Sequence, residues 1–284
     1  MAVDRIRPLA RPELDRVVEW AAEEGWNPGL ADAEAFWAAD ADGFLGLERD
    51  GELIGSGSVV SYDGRFGFMG LFIVRPDLRG RGIGRRLWLH RRDHLLDRLR
   101  PGAGIGMDGV VAMRSFYERG GFAAAHDQVR MRTVGRAAAP DPDLEPLAAT
   151  PRSAVEELDR AHFGVPRERF LRAWTDPPGG HALALPDGGR LRGFGVARPC
   201  REGFKIGPLV ADGAEVAERI FSGLSAAAEG SPVWIDVPER NAAAVALAER
   251  HGMEETFRCT RMYLGEPPPV NWDGVFGVTT LELG

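Results

Sequence analysis

Lysine, cysteine and long apolar runs are scarce in this sequence. Lys205 is the only lysine among 284 residues, so arginine carries nearly all of the positive charge, and an arginine cluster is a weaker sign of a phosphate site than usual. Cys200 and Cys259 are isolated and lack the spacing of metal ligands. No run approaches the roughly 20 apolar residues that span a bilayer, and the first residues lack the apolar core of a signal peptide. We therefore expect a protein of the reducing cytoplasm, with no membrane partner.

A positive net charge is also absent. The formal net charge of −7 argues against nucleic acid or an anionic membrane as the main partner, because both favour basic surfaces. A composition of 44% hydrophobic and 27% charged residues is typical of a globular protein with an ample core. At 284 residues the chain suits two domains of ordinary size, or one large domain.

The predicted elements repeat along the chain. The first part predicts helices at 11–24, 31–39, 83–99 and 110–119, and strands at 44–48, 52–61, 65–74, 104–107 and 122–133. The second part predicts helices at 153–174, 214–228 and 240–250, and strands at 181–185, 191–198, 203–210, 233–237 and 256–264. Both parts contain the pattern x-Glu-Arg-x-Gly-apolar, at Tyr117–Phe122 and Ala248–Met253. We predict two similar modules, residues 1–136 and 148–284, joined by a proline- and acid-rich linker at 137–147.

A glycine cluster with the spacing Arg79-x-x-Gly82-x-Gly84 follows the strand at 65–74 and opens a helix. Unpaired N–H groups and the helix dipole make such a turn a natural anion site, although a tight turn with a solvated arginine face is the simpler alternative. A P-loop is excluded, because Gly-x-x-x-x-Gly-Lys-Ser/Thr is absent. Gly104–Gly109 matches the dinucleotide pattern by letter, but no good strand precedes it.

This spacing, taken with the helix end Phe116–Phe122, resembles the GCN5-related N-acetyltransferases, the GNAT superfamily. The superfamily carries Gln/Arg-x-x-Gly-x-Gly/Ala between a strand and a helix, and later a helix that ends Phe/Leu-Tyr-Glu-x-x-Gly-Phe. Four further segments resemble a tandem subgroup with a C-terminal GNAT-like domain of the YitH/HolE-like type: Gly25–Gly29, Lys205–Leu209, Asp236–Glu239 and Gly277–Gly284. The resemblance implies an α/β fold (an α+β mixed sheet), in which each domain has a mostly antiparallel central sheet with a splayed strand pair, flanked by helices.

The resemblance also implies the chemistry: an acetyltransferase that uses acetyl-CoA as co-substrate, needs no metal, and transfers the acetyl group directly to a primary amine. Tyr117 matches the tyrosine that holds or protonates the leaving CoA thiolate, a role that suits a phenol still protonated at neutral pH. The positions implied to bind acetyl-CoA are Phe72, Ile73 and Val74 on the strand and Arg79, Gly80, Arg81, Gly82, Ile83, Gly84 and Arg85 in the loop.

The second module departs from the family pattern. It keeps an asparagine at Asn241, where the first module has Val110, but it has Ala248 in place of the tyrosine. Its strand leads into Ala211–Ala214, which lacks the glycine spacing and contains Asp212, whose charge would repel phosphate. We therefore expect one acetyl-CoA site, in the first module, beside a degenerate partner that helps to form the acceptor site.

The general base and the acceptor stay open. Asp32, Asp63, Asp108 and His126 are available as bases, but each is more typical of a turn or surface position, and the strand at 65–74 holds no glutamate. His90 and His94 are more typical of a solvated helix face than of a metal site. The acceptor is either a small-molecule amine or a protein amine, and the chain is either a monomer that forms a pseudo-dimer of its two domains or a homodimer. The alternative function is a non-catalytic acyl-CoA-binding or sensor protein.

Overall fold

The computed structural model describes residues 4–284, which form one continuous mixed sheet of 13 strands with helices on its faces. The helices are α1 (Arg11–Glu23), α2 (Asp32–Ala39), α3 (Ile83–Asp97), α4 (Arg114–Glu118), α5 (Arg152–Phe163), α6 (Glu168–Trp174), α7 (Ala214–Ala227) and α8 (Ala242–Arg250). The strands of the first half are β1 (Asp4–Pro8), β2 (Phe44–Arg49), β3 (Glu52–Tyr62), β4 (Phe66–Val74), β5 (Ile105–Val110) and β6 (Ala123–Val134). Those of the second half are β7 (Glu145–Pro146), β8 (His181–Asp187), β9 (Arg190–Pro199), β10 (Phe204–Ala211), β11 (Pro232–Pro238), β12 (Glu254–Leu264) and β13 (Val275–Gly277).

The last long strand of each half is exchanged with the other half. The strand order is β1-β2-β3-β4-β5-β12-β6-β11-β10-β9-β8-β7, with β13 beside β10. β12 pairs antiparallel with β5, Met262 lying opposite Met107, and β6 pairs antiparallel with β11. β6 and β12 also pair with each other along the seam between the halves. The predicted mixed α/β fold class is confirmed, and the exchange adds that each half completes the sheet of the other.

Four buried ion pairs occupy the seam and its surroundings. Arg130 on β6 binds Asp236 on β11 with 2.7 Å between Nε and Oδ1. Three further pairs have both side chains almost fully buried: Arg198–Asp32, Arg261–Asp108 and Arg167–Asp159. Because breaking a buried pair leaves an uncompensated charge, each of these contacts fixes its strands and helices in one arrangement.

Each half has a parallel strand pair that separates part-way along. β4 and β5 pair only from Gly67↔Ile105 to Met69↔Met107, and β10 and β11 pair only from Phe204↔Val233 to Ile206↔Ile235. In the second half β13 lies in the gap, its Gly277 opposite Leu209 of β10. Among residues 4–284 no strand occupies the gap between β4 and β5, which becomes a cleft.

Several element boundaries differ from those predicted. The helix predicted at 153–174 is broken at Gly164, whose φ of +92° requires glycine, into α5 and α6. The helix predicted at 110–119 is a short 3₁₀ turn at 111–113 followed by α4. β1 and β13 were not predicted, because short strands carry little periodicity. Residues 1–3 of the predicted first module lie outside the described residues, and the linker at 137–147 stays a prediction. In the part described, no helix has the length and apolar character needed to cross a membrane.

Candidate active site

A β-bulge in β4 opens the cleft. Ser56 and Ser58 of β3 lie opposite Ile73 and Gly70 of β4, so two residues of β4 face a single residue of β3. Within this bulge Leu71 has a φ of +46°, which is uncommon for a branched side chain. Since β4 no longer pairs with β5 beyond Met69, the segment from Gly70 to Val74 borders the cleft instead of another strand.

Arg91 of α3 holds the bulge in place. One of its terminal nitrogens donates to the carbonyl oxygens of Ser58 and Gly70, each at 2.7 Å. The guanidinium is fully buried, lies 5.1 Å from the centre of the Phe72 ring, and has no carboxylate partner within residues 4–284. Burial lowers the pKa of Arg91 to about 9, so it stays a cation at neutral pH. Gly57 of β3 leaves room for it, because a Cβ there would overlap the guanidinium.

The glycine loop presents unpaired N–H groups at the start of α3. Gly80 and Gly82 have φ values of +74° and +76°, with open space where a side chain would lie, so the backbone conformation itself requires glycine. Among the described residues, the N–H groups of residues 80–84 find no hydrogen-bond acceptor. A Cβ at Gly84 would lie 3.3 Å from the Phe72 ring, so this third glycine lets α3 begin close to β4. The loop is therefore a ready anion site at the N-terminus of a helix.

The arginines around the loop differ in their surroundings. Arg79 donates from Nε to the carbonyl oxygen of Val74 at 2.7 Å and pairs with Glu24, the residue after α1, so it ties the loop to the ends of β4 and α1. Arg81 and Arg85 are exposed. Arg85 lies beside another pocket, of about 550 Å³, that is also lined by Arg92 and Arg119.

The cleft has a volume of about 400 Å³ and is lined by both halves of the chain. Seven of the residues singled out in the sequence line it: Phe72, Ile73, Val74, Arg79, Gly80, Gly84 and Tyr117. The other four, Arg81, Gly82, Ile83 and Arg85, belong to the same loop but lie outside this lining. The strand, loop and tyrosine that the sequence places up to 45 positions apart thus border one space.

Tyr117 lines this cleft and is packed among aromatic side chains. Its ring packs against Trp88 and Phe116 and over Gly109, where a Cβ would lie 2.7 Å from the ring. Its hydroxyl has no hydrogen-bond partner among residues 4–284, although the residue is buried and lines the cleft. Burial raises the pKa of Tyr117 to about 12. The phenol therefore keeps its proton at neutral pH and can donate it to a group in the cleft.

Five residues that follow Tyr117 in the sequence, none of them predicted at the site, also line the cleft. The exchanged strands bring Arg130 on β6 and Phe257 and Cys259 on β12, and the segment after β13 brings Leu281 and Glu282. They were missed because the contacts of β6, β12 and the last segment with the opposite half are not encoded in any local pattern. The one local signal was that Gly277–Gly284, which contains Glu282, resembles the family.

The four candidate bases are placed very differently. Asp32 is bound by Arg198, and Asp63 is an exposed turn residue 3.5 Å from Arg169. His126 packs edge-on against Trp272, 4.4 Å between ring centres, away from the cleft. Asp108 alone of the four lines the cleft.

Both oxygens of Asp108 accept from Arg261, each at 2.7 Å, and burial raises the pKa of this carboxyl. His90 and His94 stack on α3 with 6.3 Å between ring centres. Within residues 4–284 no cluster of His, Cys, Asp or Glu side chains is arranged to hold a metal ion.

The corresponding region of the second half is closed. Asp212 stands at the strand–helix turn and pairs with Arg192. Ala248 is buried in the core where the first half has Tyr117. Asn241 caps α8 and donates to the carbonyl oxygen of Val275 at 2.8 Å, which holds β13 in the gap between β10 and β11. This half therefore has the frame of the first half without its cleft.

Each half of the chain matches a family of known proteins. The profile of the acetyltransferase (GNAT) family matches residues 9–122, and that of a second acetyltransferase (GNAT) domain matches residues 155–277. The chain is 30% identical over 281 residues to the holothin acyltransferase of Pseudoalteromonas sp. (strain SANK 73390), covering 98% of this chain and 94% of that protein.

Two solved structures share the architecture over nearly the whole chain. One is a candidate acetyltransferase of Pyrococcus horikoshii, with a TM-score of 0.85, 24% identity, and coverage of 99% of this chain and 96% of that one. The other is a tandem GNAT protein from the clavulanic acid biosynthesis pathway, with a TM-score of 0.63, 15% identity, and coverage of 93% and 98%. At these identities the likeness shows the fold. Taken with the two profiles and the acyltransferase relative, it leads to one conclusion: the chain is an acyltransferase of the GNAT family, with two GNAT domains in tandem.

Proposed function

We propose that the chain transfers an acetyl group from acetyl-CoA to the primary amine of a small molecule, at a single site in its N-terminal half. The observation that carries this proposal is the meeting of three features in one cleft: the bulged end of β4, the glycine loop with its unpaired N–H groups, and the free hydroxyl of Tyr117. The residues present fit a CoA thioester, because the loop suits a pyrophosphate and the cleft walls suit an apolar thioester arm.

The loop and strand would bind the donor substrate. The N–H groups of residues 80–84 would donate to the pyrophosphate, favoured by the dipole of the 15-residue helix α3. Arg81 and Arg85, both exposed and on the same turn, would add positive charge near the phosphates. The strand edge at Phe72, Ile73 and Val74 would hydrogen-bond the amides of the pantetheine arm, as a further strand would.

The chemical step is direct transfer. The amine nitrogen attacks the thioester carbonyl carbon, the C–N bond forms, and the C–S bond breaks with its electron pair on sulfur. A backbone N–H of β4 near the bulge would stabilise the negative charge that develops on the carbonyl oxygen. Tyr117 stays protonated at neutral pH because burial raises its pKa, so its hydroxyl can donate to the departing sulfur, while the proton that the amine nitrogen loses balances the one the sulfur gains.

Two observations support a small acceptor over a protein amine. The cleft lining includes the apolar side chains Trp26, Phe257 and Leu281, and its volume of about 400 Å³ must hold the thioester end and the acceptor together. The relative that matches almost the whole chain is named for acyl transfer to holothin. We keep the division into residues 1–136 and 148–284 as part of this proposal, with the second module serving as a wall of the acceptor site.

The test is thiol release from acetyl-CoA in the presence of a panel of small amines and of lysine-containing peptides. We expect turnover with at least one small amine and none with the peptides, with N-acetylated product identified by mass spectrometry. Tight CoA binding without turnover on any amine would contradict the proposal and favour an acyl-CoA sensor.

A further inference from the structure

The segment after β13 delivers Glu282 to the bulge of β4. Its carbonyl oxygen occupies the space where a Cβ at Gly70 would lie, so the two chains touch directly. The neighbouring residues are fixed on the same side: the Tyr62 hydroxyl donates to the carbonyl oxygen of Leu283 at 2.8 Å, and Arg167 donates to that of Gly284 at 2.8 Å. Glu282 is therefore held where β4 and β5 begin to separate.

The side chain of Glu282 is buried, and only one of its two carboxylate oxygens accepts a hydrogen bond in the described part of the chain. The residue is 6% exposed and lines the cleft together with Tyr117 and Arg91. Its Oε2 accepts from the hydroxyl of Thr280, whereas its Oε1 has no hydrogen-bond partner within residues 4–284. It also makes no ion pair within 4 Å in that part of the chain. Oε1 is not enclosed by protein atoms and the residue lines the cleft, so a substrate in the cleft can reach this oxygen.

Resting on the acetyl transfer proposed above, we propose that Glu282 is the general base that accepts the proton of the acceptor amine. As the C–N bond forms, the nitrogen loses a proton to Oε1 of Glu282, while the proton of Tyr117 goes to the departing sulfur. Return of a proton from Glu282 to the Tyr117 phenolate, directly or through water, then restores both groups. The products are the amide and the free thiol, and no further reactant is required.

The other acids of the cleft are less suited to this role. Glu24 pairs with Arg79 at the loop. Both oxygens of Asp108 are taken by Arg261, and β4 carries no acidic side chain. Gly70 of β4 cannot carry one, because the backbone of Glu282 fills that space. The last segment of the second half therefore brings to the bulge a carboxylate that the strand itself lacks.

The charged groups around Glu282 come from four strands. They are Asp108 on β5, Arg130 on β6, Arg198 on β9 and Lys205 on β10. The two arginines pair with Asp236 and Asp32. Lys205 donates to the carbonyl oxygens of Trp26 and Asn27. Within residues 4–284 none of these cations forms an ion pair with Glu282, so its carboxylate is left available to the substrate.

The test compares Glu282→Gln with the full-length wild-type chain, on the amine that gives thiol release. We expect kcat to fall by about 10²–10⁴-fold, the usual contribution of a general base, and the acid limb of the kcat profile, measured at saturating amine, to disappear. The Kd for CoA, measured by calorimetry, and the unfolding midpoint should stay at their wild-type values. Glu254→Gln, at an exposed glutamate of β12, is the matched control and should change none of these four quantities.

A folded Glu282→Gln protein that binds CoA and keeps the wild-type kcat and acid limb would overturn the proposal. If Glu282→Gln does not fold, Glu282→Asp tests the proposal instead. This variant keeps a carboxylate but shortens the side chain by one methylene, so the base is moved away from the amine. The acid limb should then remain while kcat falls at least about tenfold, and an unchanged kcat would again overturn the assignment. A wild-type chain that releases no thiol with any amine overturns both proposals, whereas an active wild type with an unaffected Glu282→Gln overturns only this one.

Discussion

The two halves of the chain build the same strand–turn–helix unit and use it differently. In the first half β4 leads through Gly80 and Gly82 into α3, and the gap beside β4 is a cleft. In the second half β10 leads through Asp212 into α7, and β13 fills the corresponding gap. The same strand–turn–helix unit can thus leave a cleft for a ligand or have its gap filled by a strand of the same chain. A few residues at the turn and in the gap determine which of the two occurs. The segment that closes the second gap then continues into the first cleft, so the degenerate half still contributes to the site.

We expect the largest effect when a tryptophan is placed in the strand–helix turn of the first half. The same substitution in the corresponding turn of the second half serves as the comparison. Gly82→Trp forces a bulky residue into a left-handed backbone conformation at the start of α3, where the N–H groups point outward. We expect it to weaken CoA binding by more than about 100-fold, or about 2.8 kcal/mol, measured by calorimetry. Gly213→Trp is the matched control, because Gly213 has extended backbone and open space around it. Loss of CoA binding in the control would mean that the second half also binds the ligand.

We expect a smaller effect when the hydroxyl of Tyr117, which the second half lacks, is removed. Tyr117→Phe removes the proton donor and keeps the ring that packs on Trp88 and Gly109. We expect kcat to fall by about 10²-fold or more in steady-state thiol release, with the KM for acetyl-CoA within about twofold of wild type. An unchanged kcat would remove Tyr117 from the mechanism and leave the first half distinguished only by its loop.

The smallest effect concerns the seam where the halves exchange strands. Burial and the nearby cations Arg261 and Arg240 lower the pKa of His126 to about 3 in the folded protein, against about 6.5 when unfolded. Between these values the unfolded chain binds the extra proton, so His126 costs stability as the pH falls from about 6.5 toward 3.

His126→Gln should therefore flatten the pH dependence of the unfolding free energy in that window, by at most about 1.4 kcal/mol per pH unit. Denaturant unfolding at several pH values measures this slope. Ala125→Gln, at an exposed position on the same strand that carries no titrating group, is the control and should leave the slope unchanged. Equal slopes in wild type and His126→Gln would show that the seam around Trp272 does not exclude the charged imidazole.

Local pattern predicted much of the frame from the sequence. The strand–glycine–helix order at 65–99 and the helix end at Tyr117 are short-range features, and each lies close to where the pattern indicated. Their meeting in one cleft came from the resemblance to the family, since spacing alone does not say which segments touch. The fold class and the family were confirmed, whereas the roles of Tyr117 and the loop residues stay predictions.

The exchange of β6 and β12 could not be read from the sequence. A half-buried strand has the same alternation whichever neighbour it pairs with, so the pattern of 122–133 fits either half equally well. β13 is a three-residue strand and has no periodicity to detect. Glu282 was missed for the same reason, because its place beside Gly70 depends on contacts between residues more than 200 positions apart.

The number of CoA molecules bound per chain tests the central comparison most directly. Isothermal titration of the wild-type protein with CoA measures this number without knowledge of the acceptor. The open cleft of the first half and the strand-filled gap of the second predict a stoichiometry of one. A stoichiometry of two, or no binding at all, would contradict the assignment of one working half and one supporting half.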